Sequence, residues 1–248
     1  MEKQTLLLDL DDTLVHCNKY FERVISQFAD FMMKYFEEFG IRREEIIAIQ
    51  SELDTQALAS HGFIKEHFPE SFIGTYLHFC RLSGKTPQKH EQDLLYELGW
   101  SVYEQEFEPF PGVEETLERL NEDGHNLFLY TGGDPDIQQR KINKWGLNRY
   151  FENRILIRRH KNTPTMENII REFRFDRKRT WMVGNSLRTD ILPALETGIH
   201  AVHIPAPCEW SYNIVDIPVE SKGFFLTLSS LEELPHAVSR YTRQKKIL

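Results

Sequence analysis

An α/β fold is predicted: a parallel sheet with helices on both faces, joined to a separate all-helical domain. Three features predict it. Short apolar runs recur along the 248 residues and alternate with amphipathic helical segments, the pattern of parallel strands joined by crossover helices. The first run, TLLLDL at residues 5–10, is apolar and ends in acids, as a strand buried on both faces does where its C-terminal end opens to ligand. Residues 16–107 carry helical periodicity and no convincing strand, and roughly ninety residues is far too long for a loop in a compact domain.

Along the chain, the first strand is expected at residues 5–10. In the helical stretch Phe21, Val24, Ile25, Phe28, Phe31, Met32, Tyr35, Phe36 and Phe39 recur at helical spacing. That aromatic stripe reads as the core of a small domain. Further helices are expected at 46–58, 72–82 and 93–107. A helix at 113–123 puts Val113, Thr116, Leu117 and Leu120 on one face, with Pro111 and Gly112 before it and Gly124 after. Strands are expected at 126–131 (NLFLYT), 154–157 (RILI), 180–184 (TWMVG) and 200–204 (HAVHI). Between them come helices at 136–145, closed by Gly146, and at 163–173, with Thr163 as N-cap and Pro164 at the first position. A third runs from 189 to 197, closed by Gly198. The domain division is therefore a core of 1–15 and 108–248 and an inserted helical domain of 16–107. Whether the segment after Pro218 adds to the sheet is left open, and the basic residues 240–246 read as a solvated end.

Composition narrows the function classes. A formal net charge of −8 and 40% hydrophobic residues describe a folded, soluble chain and weigh against nucleic acid as the main partner. Cys17, Cys80 and Cys208 are odd in number and widely spaced, which argues against a disulfide framework or a structural zinc and fits a reducing compartment. Asp9 interrupts the only apolar run near the N-terminus, so that run is no signal segment. No stretch approaches the roughly 18 apolar residues of a membrane span. The expectation is a cytoplasmic protein that engages neither membrane nor nucleic acid, with its oligomeric state open.

The densest chemistry is Asp9-Leu10-Asp11-Asp12-Thr13 at the end of the first strand. In an extended chain residues i and i+2 share a side, so Asp9 and Asp11 are expected close together where open α/β sheets bind ligands. Two carboxylates a few ångströms apart repel by about 4 kcal/mol at an effective dielectric near 20. Such a pair needs a cation, a shared proton or a cradle of donors, and hard oxygen ligands suit magnesium. An acidic turn that merely caps the strand is the competing reading.

The segment LLLDLDDTL at 6–14 resembles the first signature of the haloacid dehalogenase superfamily, and three further segments resemble its later motifs in order. They are the apolar strand ending in Thr131 before Gly132 and Gly133, then Lys161, then Gly184-Asn185-Ser186-Leu187-Arg188-Thr189-Asp190. Phe110-Pro111-Gly112 and Trp145-Gly146-Leu147 also fit. The resemblance implies a Rossmann-like core and a helical cap inserted between the first and second motifs. It implies Asp9 as a nucleophile that forms an aspartyl-phosphate, and Asp11 as general acid and then base. Thr131 with the Gly132 N–H, and Lys161, would hold the phosphoryl group. Magnesium would be held by Asp9, the main-chain carbonyl of Asp11, Asn185 and Asp190.

Two departures from the family pattern stand out. Asn185 occupies a position where phosphatases of the family have Asp, which removes a full negative charge from the metal site; Asp190 is the expected compensation. Proline does not follow Lys161 directly, and Lys141 and Lys144 are rivals that come too early in the motif order. The implied function is a magnesium-dependent phosphatase acting on a small phosphorylated metabolite. A phosphomutase or dehalogenase on the same fold, or a catalytically weak binding protein, are the alternatives. His16, Cys17, Asn18, Tyr20 and the Cys208-Glu209-Trp210 loop are read either as pocket lining or as ordinary turns, and the scattered histidines of the insertion as surface or core.

Overall fold

The computed structural model describes residues 2–217 and 222–244. The chain divides into two compact units, Met1–Asn18 with Phe107–Leu248, and Lys19–Glu106.

The first unit is built on a six-stranded sheet, β1 (Thr5–Leu8), β2 (Asn126–Gly132), β3 (Ile155–Arg158), β4 (Thr180–Gly184), β5 (His200–His203) and β6 (Phe225–Thr227). Its order is β3-β2-β1-β4-β5-β6 and every pairing is parallel. β1 lies between β2 and β4, with Leu7 opposite both Phe128 and Met182. Alternation of side chains then explains the unbroken apolar run. Leu6 and Leu8 join Leu127, Leu129, Val183 and Val202 on one face, while Leu7 joins Phe128, Tyr130, Met182 and Ala201 on the other. The strand order reverses direction at β1 and β4, the place where open α/β sheets bind ligands beyond their C-terminal ends.

Helices cover both faces. Numbered in chain order, α1 (Asn18–Tyr35) to α4 precede the core helices α5 (Val113–Glu122), α6 (Pro135–Lys144), α7 (Asn148–Phe151), α8 (Thr163–Glu172), α9 (Leu192–Thr197) and α10 (Leu234–Gln244). Val113, Leu117 and Leu120 of α5, Ile142 of α6 and Leu234 and Val238 of α10 pack on the Leu6 face. Met166, Ile169 and Ile170 of α8 and Ala194 and Leu195 of α9 pack on the Leu7 face.

The sequence misplaces several boundaries. Asn162, not Thr163, caps α8, accepting the Thr165 N–H at 3.0 Å; the Asx side chain wins over the hydroxyl. The single helix expected at 189–197 is a π-helical turn, Leu187–Ile191, followed by α9. The C-terminal segment adds β6 to the sheet, paired with β5 through Ala201 and Phe225. The end expected to be solvated at 240–246 is so only in part: Arg240 and Arg243 are exposed, but Thr242 is buried and the Tyr241 ring meets that of Trp181 edge-on at 4.8 Å. Residues 245 and 246 lie outside the described residues.

The second unit is all-helical and contains most of α1, then α2 (Arg43–His61), α3 (His67–Ser83) and α4 (Lys89–Trp100). Phe28 stacks on Phe72 at 4.0 Å, and Phe36 contacts Tyr76 and Phe79, so the aromatic stripe does form this unit's core. Phe39 leaves the stripe and is exposed, with the Lys85 ammonium 5.4 Å from its ring. The helix expected at 93–107 stops at Trp100 and gives way to a 3₁₀ turn, Ser101–Glu104. Among the described residues, no helix is long and apolar enough to cross a membrane.

Candidate functional site

β1 ends at Leu8, and the acids follow directly, with Asp11 in an isolated parallel bridge to Val15 and the turn beginning at Asp12. The Asp9 N–H still reaches Val183 O at 2.9 Å, which ties it to β4. Leu10 O then accepts the N–H groups of Leu14 and Val15, and Asp12 takes a positive φ of 57°. The turn closes behind Asp11, and the Asp9 and Asp11 carboxylates are near enough that Asp11 adds to burial in pushing the Asp9 acid up. The Asp12 carboxylate accepts the N–H groups of Cys17 and Asn18 at 3.0 and 2.8 Å, so it serves the turn. Burial pushes its acid up to about 7 against the pull of those two bonds.

Asp9 is buried, and its Oδ2 accepts the Thr13 hydroxyl at 3.1 Å. Lys161, in the segment between β3 and α8, places Nζ 2.5 Å from Asp9 Oδ1 and pairs as well with Asp190 Oδ1. All three side chains are almost wholly withdrawn from solvent. Burial pushes Asp9 up to about 7; Lys161 pulls it down and Asp190 pushes it up. Burial works against the Lys161 ammonium, but Asp190 and Asp9 overcome it and hold Lys161 above its ordinary range. Asp190 Oδ2 accepts the Ser186 N–H at 3.1 Å. A Cβ at Gly184 would run into the Asp190 carboxylate, so the glycine is what lets that side chain reach Lys161.

Asp11 is held by α6, the helix after β2. Lys141 Nζ lies 2.7 Å from Asp11 Oδ1, and Gln138 Nε2 donates to Asp11 Oδ2 at 2.9 Å. The same Gln138 nitrogen lies 2.7 Å from Thr131 Oγ1 and 2.9 Å from Gly132 O. It has two hydrogens for three acceptors, and Gly132 O also accepts the Thr131 hydroxyl at 3.2 Å. The Lys141 side chain is buried under Asp11, 4.1 Å from the Phe107 ring centre. Asp134 caps α6 by accepting the Asp136 and Ile137 N–H groups, which fixes the helix that carries both residues.

Asn185 follows β4 and is buried. Its Nδ2 donates to Glu209 Oε1 at 3.2 Å, and its main-chain carbonyl lies 2.9 Å from His203 Nε2.

The residues singled out from the sequence thus form three linked groups. Lys161 joins Asp9 to Asp190, Gln138 joins Asp11 to Thr131 and Gly132, and Asn185 turns to Glu209. Asp190 faces Lys161, and Glu209 is the acid beside Asn185. Gln138 was not singled out from the sequence; Lys141 was weighed there only as a rival to Lys161, Glu209 only as part of a loop left open, and Thr13 only as the end of the acidic run. Gln138 and Lys141 stand three apart on the helix that follows the Thr131 segment, so they share a face, and that spacing could have found them. Among the described residues, no group of three or more His, Cys, Asp and Glu is arranged to hold a metal ion. The reason is visible in the contacts: Asp9 and Asp190 turn to Lys161, Asp11 turns to Lys141, and Asn185 is an amide. Of the turn residues left open, His16 packs on the Phe110 ring at 3.8 Å and Asn18 Nδ2 donates to Cys208 O at 3.0 Å.

Comparison with known proteins agrees with this geometry. Residues 3–198 match the family model of haloacid dehalogenase-like hydrolases. The chain is 25% identical over 203 residues to pyrophosphatase PpaX of Halalkalibacterium halodurans, covering 80% of this chain and 82% of the relative. It is 29% identical over 151 residues to glyceraldehyde 3-phosphate phosphatase of Methanothermobacter thermautotrophicus, covering 58% and 66%. A haloacid dehalogenase-like hydrolase from Xanthomonas campestris shares the fold with a TM-score of 0.79, 22% identity and 99% of each chain covered. A 2-haloacid dehalogenase from Pseudomonas syringae shares it at 0.59, with 18% identity and 96% and 99% covered. With the Asp9 segment, the Lys161 pair and strands β1 to β4 all inside the matched region, the chain belongs to the haloacid dehalogenase-like hydrolases.

Proposed function

We propose that this hydrolase is a magnesium-dependent phosphatase for small phosphorylated substrates, working through a covalent intermediate on Asp9. The observation that carries the reading is the buried line Asp9–Lys161–Asp190, with Nζ 2.5 Å from the Asp9 carboxylate. An ammonium in that place lowers the cost of ionising a buried nucleophile and of bringing a phosphoryl oxygen beside it. The phosphatase names of the two curated relatives support the same chemistry.

In the first step an Asp9 oxygen attacks phosphorus, the bond to the leaving oxygen breaks, and Asp11 gives that oxygen a proton. In the second step a water oxygen attacks the same phosphorus, Asp11 takes the water's proton, and the Asp9–phosphorus bond breaks. Thr131 and the Gly132 N–H hold the phosphoryl oxygens, and Lys161 neutralises charge between phosphate and Asp9.

The donor chemistry fits a divalent cation once oxygens other than carboxylates are counted: two buried carboxylates, Asp9 and Asp190, share one ammonium, and the Asn185 amide, turned to Glu209 through its nitrogen, leaves its oxygen for a hard ion. Asp9, the Asp11 main-chain carbonyl, the Asn185 side-chain oxygen and Asp190 would hold it. When bound, magnesium would neutralise phosphoryl charge. The helical unit Lys19–Glu106 takes the role of cap, which restricts the site to small substrates. The three free cysteines fit a cytoplasmic setting.

Phosphate release from an aryl phosphate tests the reading, measured with magnesium, with EDTA, and in Asp9→Asn. Magnesium-dependent release that vanishes in the variant is expected. A wild type that releases chloride from 2-haloacids, and no phosphate from a broad substrate panel, would replace this reading with dehalogenation.

A further inference from the structure

The family's metal-site carboxylate is an amide here, and an amide has a wrong way round. Asn185 can present either an oxygen, which binds a cation, or an NH₂, which repels one. Its orientation is set by the Glu209 carboxylate, which can only accept hydrogen bonds, and a chain of bonds through Asn213 and Ser186 agrees with it. The Thr189 N–H is donor only, and it donates to Ser186 Oγ at 3.1 Å. The Ser186 hydroxyl spends its hydrogen on Asn213 Oδ1 at 2.9 Å. Asn213 is therefore held with its oxygen to Ser186 and its Nδ2 to Glu209 Oε1, at 2.7 Å. A carboxylate has no hydrogen to give. Glu209 Oε1 therefore accepts from Asn185 Nδ2 as well, at 3.2 Å, while Glu209 Oε2 takes the Ala206 N–H at 3.3 Å. The Asn185 NH₂ is turned to Glu209, and its Oδ1 is the atom left for a ligand at the C-terminal edge of β4, next to the Asp9 turn.

We infer that Glu209 is a positioning residue that turns the Asn185 amide oxygen toward the bound cation. It also restores, one shell further out, the negative charge that asparagine lacks. The inference rests on the magnesium-dependent reading above. It gives the loop after β5 a part in the site, and it explains how an amide can stand where the family has an acid. Outer partners that orient metal ligands commonly change affinity by about 10–100-fold when removed.

The test is the magnesium dissociation constant, measured by titration calorimetry without substrate. It compares wild type, Glu209→Met, Asn185→Asp and the double variant, with Glu209→Ala as a second form should the methionine not fold. With Asn185 present, loss of Glu209 is expected to weaken binding by about 10-fold or more. A carboxylate at 185 has two equivalent oxygens and needs no orienting, so in that background the same loss is expected to change binding by less than about 3-fold. Equal weakening in both backgrounds would reduce Glu209 to a distant charge and overturn the inference. So would no weakening in either, and the phosphatase reading would then stand. A wild type that binds no magnesium would remove both the inference and the metal from the proposed function, while phosphate release in EDTA would still show whether a phosphatase remains.

Discussion

Replacing Lys161 by methionine keeps the aliphatic stem and removes the one ammonium between Asp9 and Asp190. At 2.5 Å the Asp9 pair alone has a gross attraction of about 7 kcal/mol at an effective dielectric near 20. Most of that is offset by the cost of burying the ammonium, so the net loss on breaking a buried pair is about 3–5 kcal/mol. Against a typical total of about 5–15 kcal/mol, that is a large fraction. The loss is expected to depend on pH, with a definite sign. Asp9 already has its acid raised to about 7 by burial, and without Lys161 it rises further. A buried acid with a raised folded value binds its proton more tightly when folded, so stability falls as pH rises from the unfolded value near 4 through the folded one. Lys161→Met should therefore lose most at pH 8 and least near pH 5, where Asp9 is protonated. Urea unfolding at pH 5, 6.5 and 8, followed by the fluorescence of buried Trp181, measures this. A loss that is the same at all three values would refute the electrostatic account and leave only the packing of the lysine stem.

Three further outcomes are expected. Lys141→Met frees the Asp11 carboxylate from its 2.7 Å partner; since general acid catalysis is worth about 10²–10⁴-fold, kcat should fall much further for alkyl phosphates than for p-nitrophenyl phosphate, whose leaving group needs no proton. Equal falls would remove Lys141 from the handling of Asp11. Gly184→Ala drives a methyl into the Asp190 side chain, whose Cγ would lie 2.5 Å away; overpacking of this kind costs about 1–3 kcal/mol, and a melting temperature within a degree of wild type would contradict the contact. Because Asp9 must lose its proton to bind a cation, magnesium affinity should rise between pH 5.5 and about 7.5 and then level off; calorimetry in two buffers of different ionisation enthalpy reads the released proton directly.

Much of the core was legible because its strands are buried on both faces. Continuous runs such as TLLL at β1 and TWMVG at β4 have one interpretation once helices separate them. The order of Asp9, Thr131, Lys161 and Asp190 along the chain was legible too, since each sits at or just beyond a strand or helix end that composition marks. Two kinds of feature were not. The turn behind the acids was one: the chain closes through Leu10 O and Asp12 takes a positive φ, and nothing in DLDDT announces it. Contacts made across the sheet were also out of reach. Gln138 meets Asp11 over 127 positions and Lys141 over 130, distances over which periodicity carries no information. Glu209 lies in a loop whose composition, PAPCEW, reads as any packed turn. The C-terminal strand is only three residues, Phe225–Thr227, with its side chains largely outside the core, so no alternation announced it.

The departure at Asn185 concerns one of these missed contacts, that with Glu209. Had position 185 been aspartate with Glu209 kept, two like charges would face each other where a hydrogen bond now runs. On the proposed reading, asparagine and Glu209 together stand in for the family's aspartate: the charge would be moved outward by one side chain and the ligand oxygen kept in place. On this account the two positions act as one unit, and neither substitution can be interpreted without the other.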